Sequence, residues 1–380
     1  MSLVENEFPM DPDLCYLNHA AVAPWPRRTA RAVRDFAQEN VTEGARHYPR
    51  WLNGERQLRE RLARLINAPS GMDIALLKNT SEALSFVALG LPWEAGDEVV
   101  ITSDEFPSNR IVWESLQERG VKVVEADLHG GRTPEDAILA ALTEATRLVS
   151  ISSVQYASGI RLNLEQIGAV LKERDILFCV DAIQSIGALQ FDVQAIQADF
   201  VMADGHKWML GPEGLALFYV HPNVRNDLKL LEYGWHMIQN RGNYDEKAWQ
   251  PADDATRFEC GSPNMLGAHA LNASVSLLLE VGMEKVEASL LAKIAWLARE
   301  LGKIEGLQFI SPITPGRHAG ILTFQVDQVS GVALQHALMG RGVICAYRGG
   351  GVRFSPHFYT PQSVLENAVK IVEEEVKRLR

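Results

Sequence analysis

The sequence predicts an α/β protein in which a large domain, built on a mostly parallel mixed sheet covered by helices, is followed by a smaller α+β domain. The chain has 380 residues, which is more than one typical domain needs. As far as about residue 222, short apolar segments alternate with segments that carry apolar residues at helical spacing. Strands that are apolar along their whole length are typical of a parallel sheet covered on both faces.

The first half of the chain supplies the elements of the large domain. Pro134 suits the first position of a helix, because an N–H group at that position would have no helical partner. The predicted helices cover residues 52–66, 83–91, 111–119, 134–144 and 164–174. The predicted strands cover residues 74–77, 98–102, 121–124, 148–154, 176–180 and 198–203.

The second half has a different pattern and predicts the smaller domain. A polar stretch with several Trp and Tyr residues runs to Phe258, and the strongly helical stretch Met265–Leu301 is broken near Gly282. The remaining predicted elements are strands at 319–326 and 351–354 and a closing helix at 361–379. The predicted division gives a large domain of residues 16–258 and a small domain of residues 1–15 and 259–380.

Composition and charge exclude several classes of function. With 47% hydrophobic and 22% charged residues, the chain is an ordinary globular protein. The net charge of −11 argues against nucleic acid as a partner, since phosphate backbones bind basic surfaces. No apolar run approaches the length of a membrane span, and the acidic start lacks the apolar region of a signal peptide. We therefore expect a cytoplasmic protein with no membrane partner.

Cysteine and histidine spacing gives no sign of a metal site. None of the cysteines belongs to a C-x-x-C pair, and no H-E-x-x-H spacing occurs among the histidines. We therefore predict that the protein holds no metal. The cysteines are Cys15, Cys179, Cys260 and Cys345.

Polar residues follow many of the predicted strands, at the edge of the sheet where α/β proteins bind ligands. The stretch DGHK places a lysine, Lys207, directly after a buried strand. The polar segments at strand ends are residues 79–82, 105–106, 155–156, 181–184 and 204–207. We expect them to surround one crevice.

Each of these residues has a functional and a structural interpretation. Asp181 can face a cationic ligand or cap a helix that begins at Ser185. Thr80, with Asn79 and Ser81, can bind an anion at a helix N-terminus or act as an ordinary cap. Phe106 can stack on a planar ring or belong to the core.

The basic residues are equally open. Lys207 can be a solvated lysine, or a desolvated amine with a lowered pKa that acts as nucleophile and base. Arg353 can form an ion pair or clamp a carboxylate with its planar guanidinium. Taken together, the functional interpretations describe one ligand, pyridoxal 5′-phosphate. The 26 residues from Asp181 to Lys207 correspond to one strand–connection–strand unit.

Several motifs resemble those of the class V aminotransferase superfamily of fold-type-I pyridoxal-phosphate enzymes. This superfamily includes cysteine desulfurases, isopenicillin N epimerase and kynureninase. The resemblance covers nearly the whole chain, and the D-x-x-Q and G-H-K pair carries most of it. The matching segments are Y-L-N-H-A-A at 16–21, T-S-E at 80–82, V-D-A-I-Q at 180–184, G-H-K at 205–207, G-S-P at 261–263, R-F-S at 353–355, and Tyr359.

The resemblance implies a role for each matching residue. Lys207 would be the catalytic Schiff-base lysine, Asp181 would hold the pyridine nitrogen protonated, and Gln184 would face the ring hydroxyl. Ser262 would reach the phosphate of a neighbouring subunit, which implies a homodimer with shared active sites. His206 would be catalytic together with Lys207 and Asp181, and it would also bind the phosphate. The remaining implied roles are phosphate binding by Thr80 and Ser81, cofactor contacts by Phe106 and Gln155, and substrate binding by Arg353, Asn18 and Ala20.

The chain departs from the family pattern at four places. Gln155 stands where the family has an asparagine that contacts the substrate carboxylate or the cofactor. Phe106 stands where desulfurases carry a stacking histidine, so it can stack but cannot move a proton. Asp204 replaces a serine three residues before the lysine, and we expect its carboxylate to point away from a phosphate. Desulfurases place a nucleophilic cysteine after an R-x-G segment, whereas here Arg348 is followed by three glycines and Cys345 precedes it. A cysteine-persulfide mechanism is therefore not expected.

The predicted function is an aminotransferase-type reaction at the α-amino group of a small amino acid. The alternatives within enzymes are a lyase of the cysteine or sulfinate type and an epimerase, since all begin with removal of the α-proton. Outside enzymes, the alternative is a protein that binds pyridoxal phosphate without turnover. A nucleotide-binding α/β domain is disfavoured because the chain has no glycine-rich phosphate loop.

Overall fold

The computed structural model describes residues 3–380. The α-helices are α1 (Leu3–Glu7), α2 (Arg27–Glu43), α3 (Tyr48–Leu65), α4 (Thr80–Gly90), α5 (Ser108–Glu114), α6 (Pro134–Ala140), α7 (Leu164–Glu173), α8 (Met265–Val281), α9 (Met283–Leu301), α10 (Gly331–Gly340) and α11 (Gln362–Leu379). The strands are β1 (Cys15–Tyr16), β2 (Ile74–Leu77), β3 (Glu98–Thr102), β4 (Lys122–Ala126), β5 (Thr146–Ser152), β6 (Leu177–Asp181), β7 (Phe200–Asp204), β8 (Ala216–Val220), β9 (Leu307–Phe309), β10 (Leu322–Val326), β11 (Val343–Ile344), β12 (Ala346–Arg348) and β13 (Gly351–Phe354).

The large sheet has seven strands in the order β2-β8-β7-β6-β5-β3-β4. Neighbouring strands from β4 to β7 run parallel, and β8 lies antiparallel to both β2 and β7. The predicted mostly parallel mixed sheet is therefore confirmed. We did not predict β8, whose residues ALFYV follow the glycine turns after Lys207.

Both faces of this sheet are covered, as the apolar strands predict. Alternate residues of one strand point to opposite faces. In β6, Val180 belongs to one apolar core, which also contains residues of α3 and α8. The preceding residue, Cys179, belongs to the other core, which contains residues of α4. Because both faces of the strand are buried, its successive residues are apolar, which explains the continuous apolar run in the sequence.

The small sheet is antiparallel, in the order β12-β13-β10-β9, and packs on residues of α9, α10 and α11. The N-terminal strand β1 joins this part of the molecule by pairing in parallel with β11. The helical stretch 265–301 breaks at Gly282, as predicted, where a backbone φ of 88° favours glycine. The predicted domain boundaries stay a prediction, and the packing of α8 against α2 and α3 places that helix beside the large sheet.

The strands of the small sheet other than β10 and β13 were missed from the sequence, as were α2 and α10. Among residues 3–380, no single helix is long and apolar enough to cross a membrane. Helices α8 and α9 reach that length and composition only as a pair, with an 83° bend between them.

A buried aromatic cluster joins the N-terminal segment, the small domain and the turn after β7. The imidazole of His19 contacts the carbonyl oxygen of Ser355 at 2.8 Å and the hydroxyl of Tyr359 at 2.7 Å. The nearby His357 contacts the carbonyl oxygen of Trp208 at 3.1 Å. Burial lowers the pKa of His19 to about 4 and that of His357 well below its ordinary value. Both imidazoles are therefore neutral in the folded protein near pH 7.

The neutral His19 makes a testable contribution to acid stability. Because its pKa is about 4 when folded and 6.5 as an ordinary side chain, the unfolded chain binds more protons between these values. We expect the free energy of unfolding to fall by about 3 kcal/mol as the pH is lowered through this window. Chemical unfolding followed by tryptophan fluorescence at several pH values measures it.

A matched pair of variants isolates this effect. His19→Asn is expected to flatten the pH dependence between about 6.5 and 4, although it lowers stability at neutral pH. His129→Asn, which changes an exposed histidine, is expected to leave the pH dependence as it is in the wild type. An identical pH dependence in the wild type and His19→Asn would contradict the assignment.

Candidate active site

A cavity of about 260 Å³ opens at the carboxyl ends of β6 and β7. It brings together most of the polar residues predicted to surround one crevice. Its lining residues are Ala20, Ala21, Val22, Thr80, Ser81, Phe106, Ser108, Tyr156, Asp181, Ile183, Gln184, Asp204, His206, Lys207, Glu213, Arg348 and Arg353. A larger cleft of about 1000 Å³ shares none of these residues, and its Arg161 and Arg317 are paired with Glu287 and Glu135.

Asp181 ends β6 with its carboxylate buried in the floor of the cavity. Oδ1 accepts a hydrogen bond from the backbone N–H of Ile183 at 3.0 Å. Residues 183–185 form a turn and no helix begins at Ser185, so the alternative interpretation of Asp181 as a helix cap does not hold. The carboxylate closes a turn instead of capping a helix. Burial raises the pKa of Asp181, and the negative charge of Glu105 adds to the rise.

Lys207 lies in the turn that follows β7. Burial lowers the pKa of its amine, and the positive charge of Arg353 adds to the decrease, while Asp181 opposes it. The Nζ atom lies 5.6 Å from the ring centroid of Phe106, over the face of the ring. A desolvated amine of this kind has an accessible neutral form, which can act as nucleophile and base.

The first turn of α4 lies at one end of the cavity. The cap of this helix is Asn79, whose Oδ1 accepts a hydrogen bond from the backbone N–H of Glu82 at 2.9 Å. Thr80 is therefore not needed as the cap, and its buried Oγ1 has no partner among the described residues. The hydroxyl of Ser81 contacts that of Ser108 at 2.9 Å. The helix end thus presents hydroxyl and N–H groups to the cavity.

Asp204 faces this same end of the cavity, so the expectation that it points elsewhere is wrong. Its Oδ2 accepts a hydrogen bond from the backbone N–H of Thr80 at 3.3 Å, which holds it there. Its Oδ1 lies 3.6 Å from Nδ1 of His206. Within residues 3–380, neither of these two atoms has a hydrogen-bond partner.

Glu105 belongs to the strand-end segment 105–106 that was predicted to surround the crevice, but it does not line the cavity and acts on Asp181 through its charge. Its buried carboxylate accepts hydrogen bonds from the backbone N–H and hydroxyl of Ser152 at 2.8 and 2.5 Å, and from Thr102 at 2.7 Å. The side-chain amides of Asn109 and Gln155 donate to it at 3.0 and 3.3 Å. Burial raises the pKa of Glu105, and these donors oppose the rise. The network fixes the loop that carries Phe106.

Arg353 lies on β13 and is almost completely buried. Its Nη1 donates to the carbonyl oxygen of Tyr156 at 2.6 Å, while its Nε has no partner in the described part of the chain. None of the ion pairs between described residues includes it. Burial lowers its pKa to about 10, and the charge of Arg348 contributes. A buried guanidinium without an acidic partner suits an anionic ligand.

The other predicted residues divide into those inside and those outside the cavity. Ala20 and Gln184 line it, and the Gln184 amide also contacts the Ala20 carbonyl oxygen and the Trp208 indole at 3.1 and 2.8 Å. Asn18, Gln155 and Ser262 are not among the lining residues. Tyr156 lines the cavity and belongs to the predicted strand-end segment 155–156. The sequence did not place Glu213 and Arg348 at the crevice, because their positions depend on the folded loops.

Comparison with known proteins decides the family. The family model for aminotransferase class-V matches residues 15–359. The chain belongs to the class V aminotransferase family. A probable cysteine desulfurase of Methanothermobacter thermautotrophicus is 31% identical to this class V protein, over 98% of this chain and 97% of the relative.

Solved structures have the same fold. The apo structure of a cysteine desulfurase of Thermococcus onnurineus gives a TM-score of 0.88 at 24% sequence identity. The superposition covers 99% of this chain and 98% of the desulfurase chain. Two structures of C-DES, a cystine C–S lyase, give TM-scores of 0.90 and 0.88 at 21% and 22% identity. Each covers 97% of this chain and 99% of its own. One holds glycine linked to the pyridoxal-phosphate cofactor, and the other holds the product cysteine persulfide.

The class V protein is pyridoxal-phosphate dependent, and the residues of its cavity fit that cofactor. The unpartnered Thr80 Oγ1 and His206 Nδ1 lie where an anionic group can meet a helix N-terminus. Asp181, at the floor, can hold a proton on a ring nitrogen, and Lys207 offers an amine to an aldehyde. Phe106 is half-exposed in the cavity wall, which excludes the core interpretation and leaves its ring free to stack.

One group of potential metal ligands occurs among the described residues. Ligand atoms of Glu55, His236 and Glu259 lie within 4.8 Å of one another. The guanidinium of Arg59 already pairs with both carboxylates, at 2.5 Å from Glu55 and 2.6 Å from Glu259. The single guanidinium therefore contacts both carboxylates but neutralises only one of their two negative charges.

The position of Asp204 predicts how strongly the cofactor binds. A carboxylate beside the expected phosphate repels it, and Asp204→Asn removes the charge while keeping an acceptor for the Thr80 N–H. We expect the dissociation constant for pyridoxal phosphate to fall by about tenfold. Absorbance titration of the apo-protein with the cofactor measures it.

Glu213→Gln provides the control for this experiment, because it removes an exposed carboxylate from the wall of the same cavity. We expect its affinity for the cofactor to stay within about twofold of the wild type, since exposed charges are screened. Weaker cofactor binding by Asp204→Asn would mean that the carboxylate helps to hold the phosphate.

Proposed function

We propose that the protein is a pyridoxal-phosphate-dependent lyase that cleaves the Cβ–S bond of a cysteine-type amino acid by β-elimination. In this reaction the sulfur leaves with its substituent and is not transferred to a cysteine of the enzyme. One observation carries the proposal. The cavity has a complete set of lysine, aspartate and carboxylate-binding arginine, but no cysteine lies among its described lining residues.

The cysteines have other surroundings. Cys345 is buried beside the small sheet, and burial raises its pKa to about 12, so it has almost no thiolate at neutral pH. The thiol of Cys15 accepts a contact from Asn367 at 3.4 Å, and Cys179 lies inside the core of the large sheet. Cys260 faces the carboxylate of Glu232 at 3.2 Å, which raises its pKa further after burial has done so.

The names of relatives support sulfur chemistry over transamination. The relative with 31% identity is named a probable cysteine desulfurase, and C-DES is a cystine C–S lyase. Both names describe removal of sulfur from a cysteine-type substrate, which corresponds to the lyase alternative. The aminotransferase reaction that we expected from the sequence has less support, because no relative named above carries that activity.

The residues of the cavity account for the steps of an elimination. The cofactor, when bound, withdraws electrons from the α-carbon of the substrate. Arg353 binds the α-carboxylate, and the neutral amine of Lys207 takes the proton from the α-carbon. That electron pair forms the Cα–Cβ double bond as the Cβ–S bond breaks, and the sulfur leaves with the bonding pair. The Lys207 ammonium then gives this proton to the departing sulfur, which is released as a thiol. The released enamine tautomerises to an imine, and one water hydrolyses the imine to pyruvate and ammonia.

We further propose that the enzyme is a homodimer with shared active sites. Ser262 is exposed and does not line the cavity of its own chain, which suits a residue that reaches the phosphate of a neighbouring subunit. Size-exclusion chromatography with light scattering measures the mass directly. A monomer that retains full activity would contradict this arrangement.

The test of the lyase function measures pyruvate and sulfur release from cysteine, cystine and S-substituted cysteines. We expect Lys207→Ala to lose activity by at least about a hundredfold, because the base is gone. We expect Cys345→Ser and Cys260→Ser to keep the wild-type rate within about twofold, provided that circular dichroism shows the same fold. Lys122→Ala, which changes an exposed lysine, is the control and should have no effect.

Other outcomes identify the competing functions. Loss of sulfur release in a correctly folded cysteine variant would indicate a persulfide mechanism. Transfer of the amino group to an added keto acid without sulfur release would indicate an aminotransferase. A wild-type protein that holds the cofactor but converts no amino acid would indicate a binding protein.

A further inference from the structure

We propose that Arg348 forms a second anion subsite beside Arg353, and that the natural substrate therefore carries a negatively charged group on its side chain as well as its α-carboxylate. This inference rests on the proposed function, since it names the class of substrate that the lyase would take. It concerns the part of the cavity wall that the small domain contributes.

The hairpin of β12 and β13 places both arginines on one face. Its register pairs Ala346 with Arg353 and Arg348 with Gly351. Residues that are opposite each other in an antiparallel pair share a face, and alternate residues of a strand share it too. Arg348 and Arg353 are therefore diagonal neighbours, and both line the cavity.

The glycines of this hairpin leave Arg348 without a covering side chain. Gly349 and Gly350 have φ angles of 55° and 88°, in the left-handed region that favours glycine. A Cβ atom on Gly351 would lie 2.4 Å from the carbonyl oxygen of Phe324, so a side chain is excluded there. Arg348 is therefore the one residue between Tyr347 and Val352 that has a side chain, and this side chain ends in a guanidinium group.

No carboxylate among residues 3–380 forms an ion pair with Arg348. Its recorded hydrogen bond is to the carbonyl oxygen of the preceding Tyr347, at 2.7 Å. An exposed arginine of the same small domain, Arg341, pairs with both Glu374 and Glu375. The acids that line the cavity, Asp181, Asp204 and Glu213, lie outside ion-pair distance of Arg348. Its charge is therefore available to a ligand.

Two guanidinium groups on one wall repel each other when no anion is present. The charge of Arg348 contributes to the lowered pKa of Arg353, which indicates that the two groups are close enough to interact. A substrate with a single α-carboxylate neutralises Arg353 and leaves the second charge uncompensated. A substrate with an additional carboxylate, sulfinate or sulfonate beyond its Cβ atom satisfies both groups.

A pair of isosteric probes isolates this charge. S-carboxymethylcysteine and S-carbamoylmethylcysteine have nearly the same size and a similar leaving sulfur, but the first ends in a carboxylate and the second in a neutral amide. We expect the wild-type enzyme to prefer the charged probe by about tenfold in kcat/KM for pyruvate release. Lack of any such preference would overturn the proposal.

Arginine variants then show which arginine causes the preference for the charged probe. We expect Arg348→Gln to lose about tenfold in kcat/KM with the charged probe and to stay within about twofold with the neutral one. Arg353→Gln is expected to weaken both probes alike, since both have the α-carboxylate. Arg132→Gln, an exposed arginine outside the cavity, should change neither. Equal losses for the two probes in Arg348→Gln would contradict a side-chain subsite.

Failure of the proposed function can be told apart from failure of the subsite. If the wild type releases no pyruvate from cysteine, cystine or either probe, the lyase proposal is wrong, and binding is measured instead. Titration with aspartate and asparagine, followed by the cofactor absorption band, then reports the same charge difference. Arg348→Gln is expected to weaken the binding of aspartate and to leave the binding of asparagine as it is. If the variant prefers aspartate over asparagine as strongly as the wild type does, the proposed subsite is wrong, whichever reaction the enzyme catalyses.

Discussion

The packing of Trp208 is the constraint on which the geometry of the site depends. Its indole is completely buried, and its Nε1 donates to the Gln184 side chain at 2.8 Å. A Cβ atom on Gly320 would lie 2.3 Å from the indole ring, so the small domain approaches it as closely as backbone allows. Lys207 is the residue before Trp208. The buried Trp208 side chain therefore also fixes the backbone position from which the Lys207 amine extends.

Around this anchor, the two sheets contribute charges of opposite sign to one cavity. The large sheet contributes the buried carboxylates Asp181 and Asp204, with Glu105 behind them, while the small sheet contributes Arg348 and Arg353. Burying a charge without a partner destabilises a fold, so the buried Asp181, Asp204 and Arg353 reduce stability unless a ligand compensates them, whereas Arg348 is exposed. The arrangement is accounted for by binding a ligand that is cationic at one end and anionic at the other.

The parts that the sequence predicted are those encoded locally. Strands β6 and β7 and the break at Gly282 follow from apolar runs and a single glycine, and the roles proposed for Asp181 and Lys207 follow from their places after those strands. The missed parts depend on distant contacts. The direction of Asp204 is set by the N–H of Thr80, 124 residues away. The face of the hairpin on which Arg348 lies is set by the register of β12 and β13, which a single sequence does not specify.

The hydrogen bond from Arg353 to the carbonyl oxygen of Tyr156 joins the small sheet to the loop that follows β5 of the large sheet, 197 residues away in sequence. The same guanidinium therefore belongs to the junction of the two sheets and to the wall of the cavity. A change in the tilt of the small sheet would alter the distance between this group and the lysine. Under the proposed function, the side chain that binds the substrate carboxylate is also the one that joins the two sheets, so we expect variants of Arg353 that change substrate affinity to change stability as well.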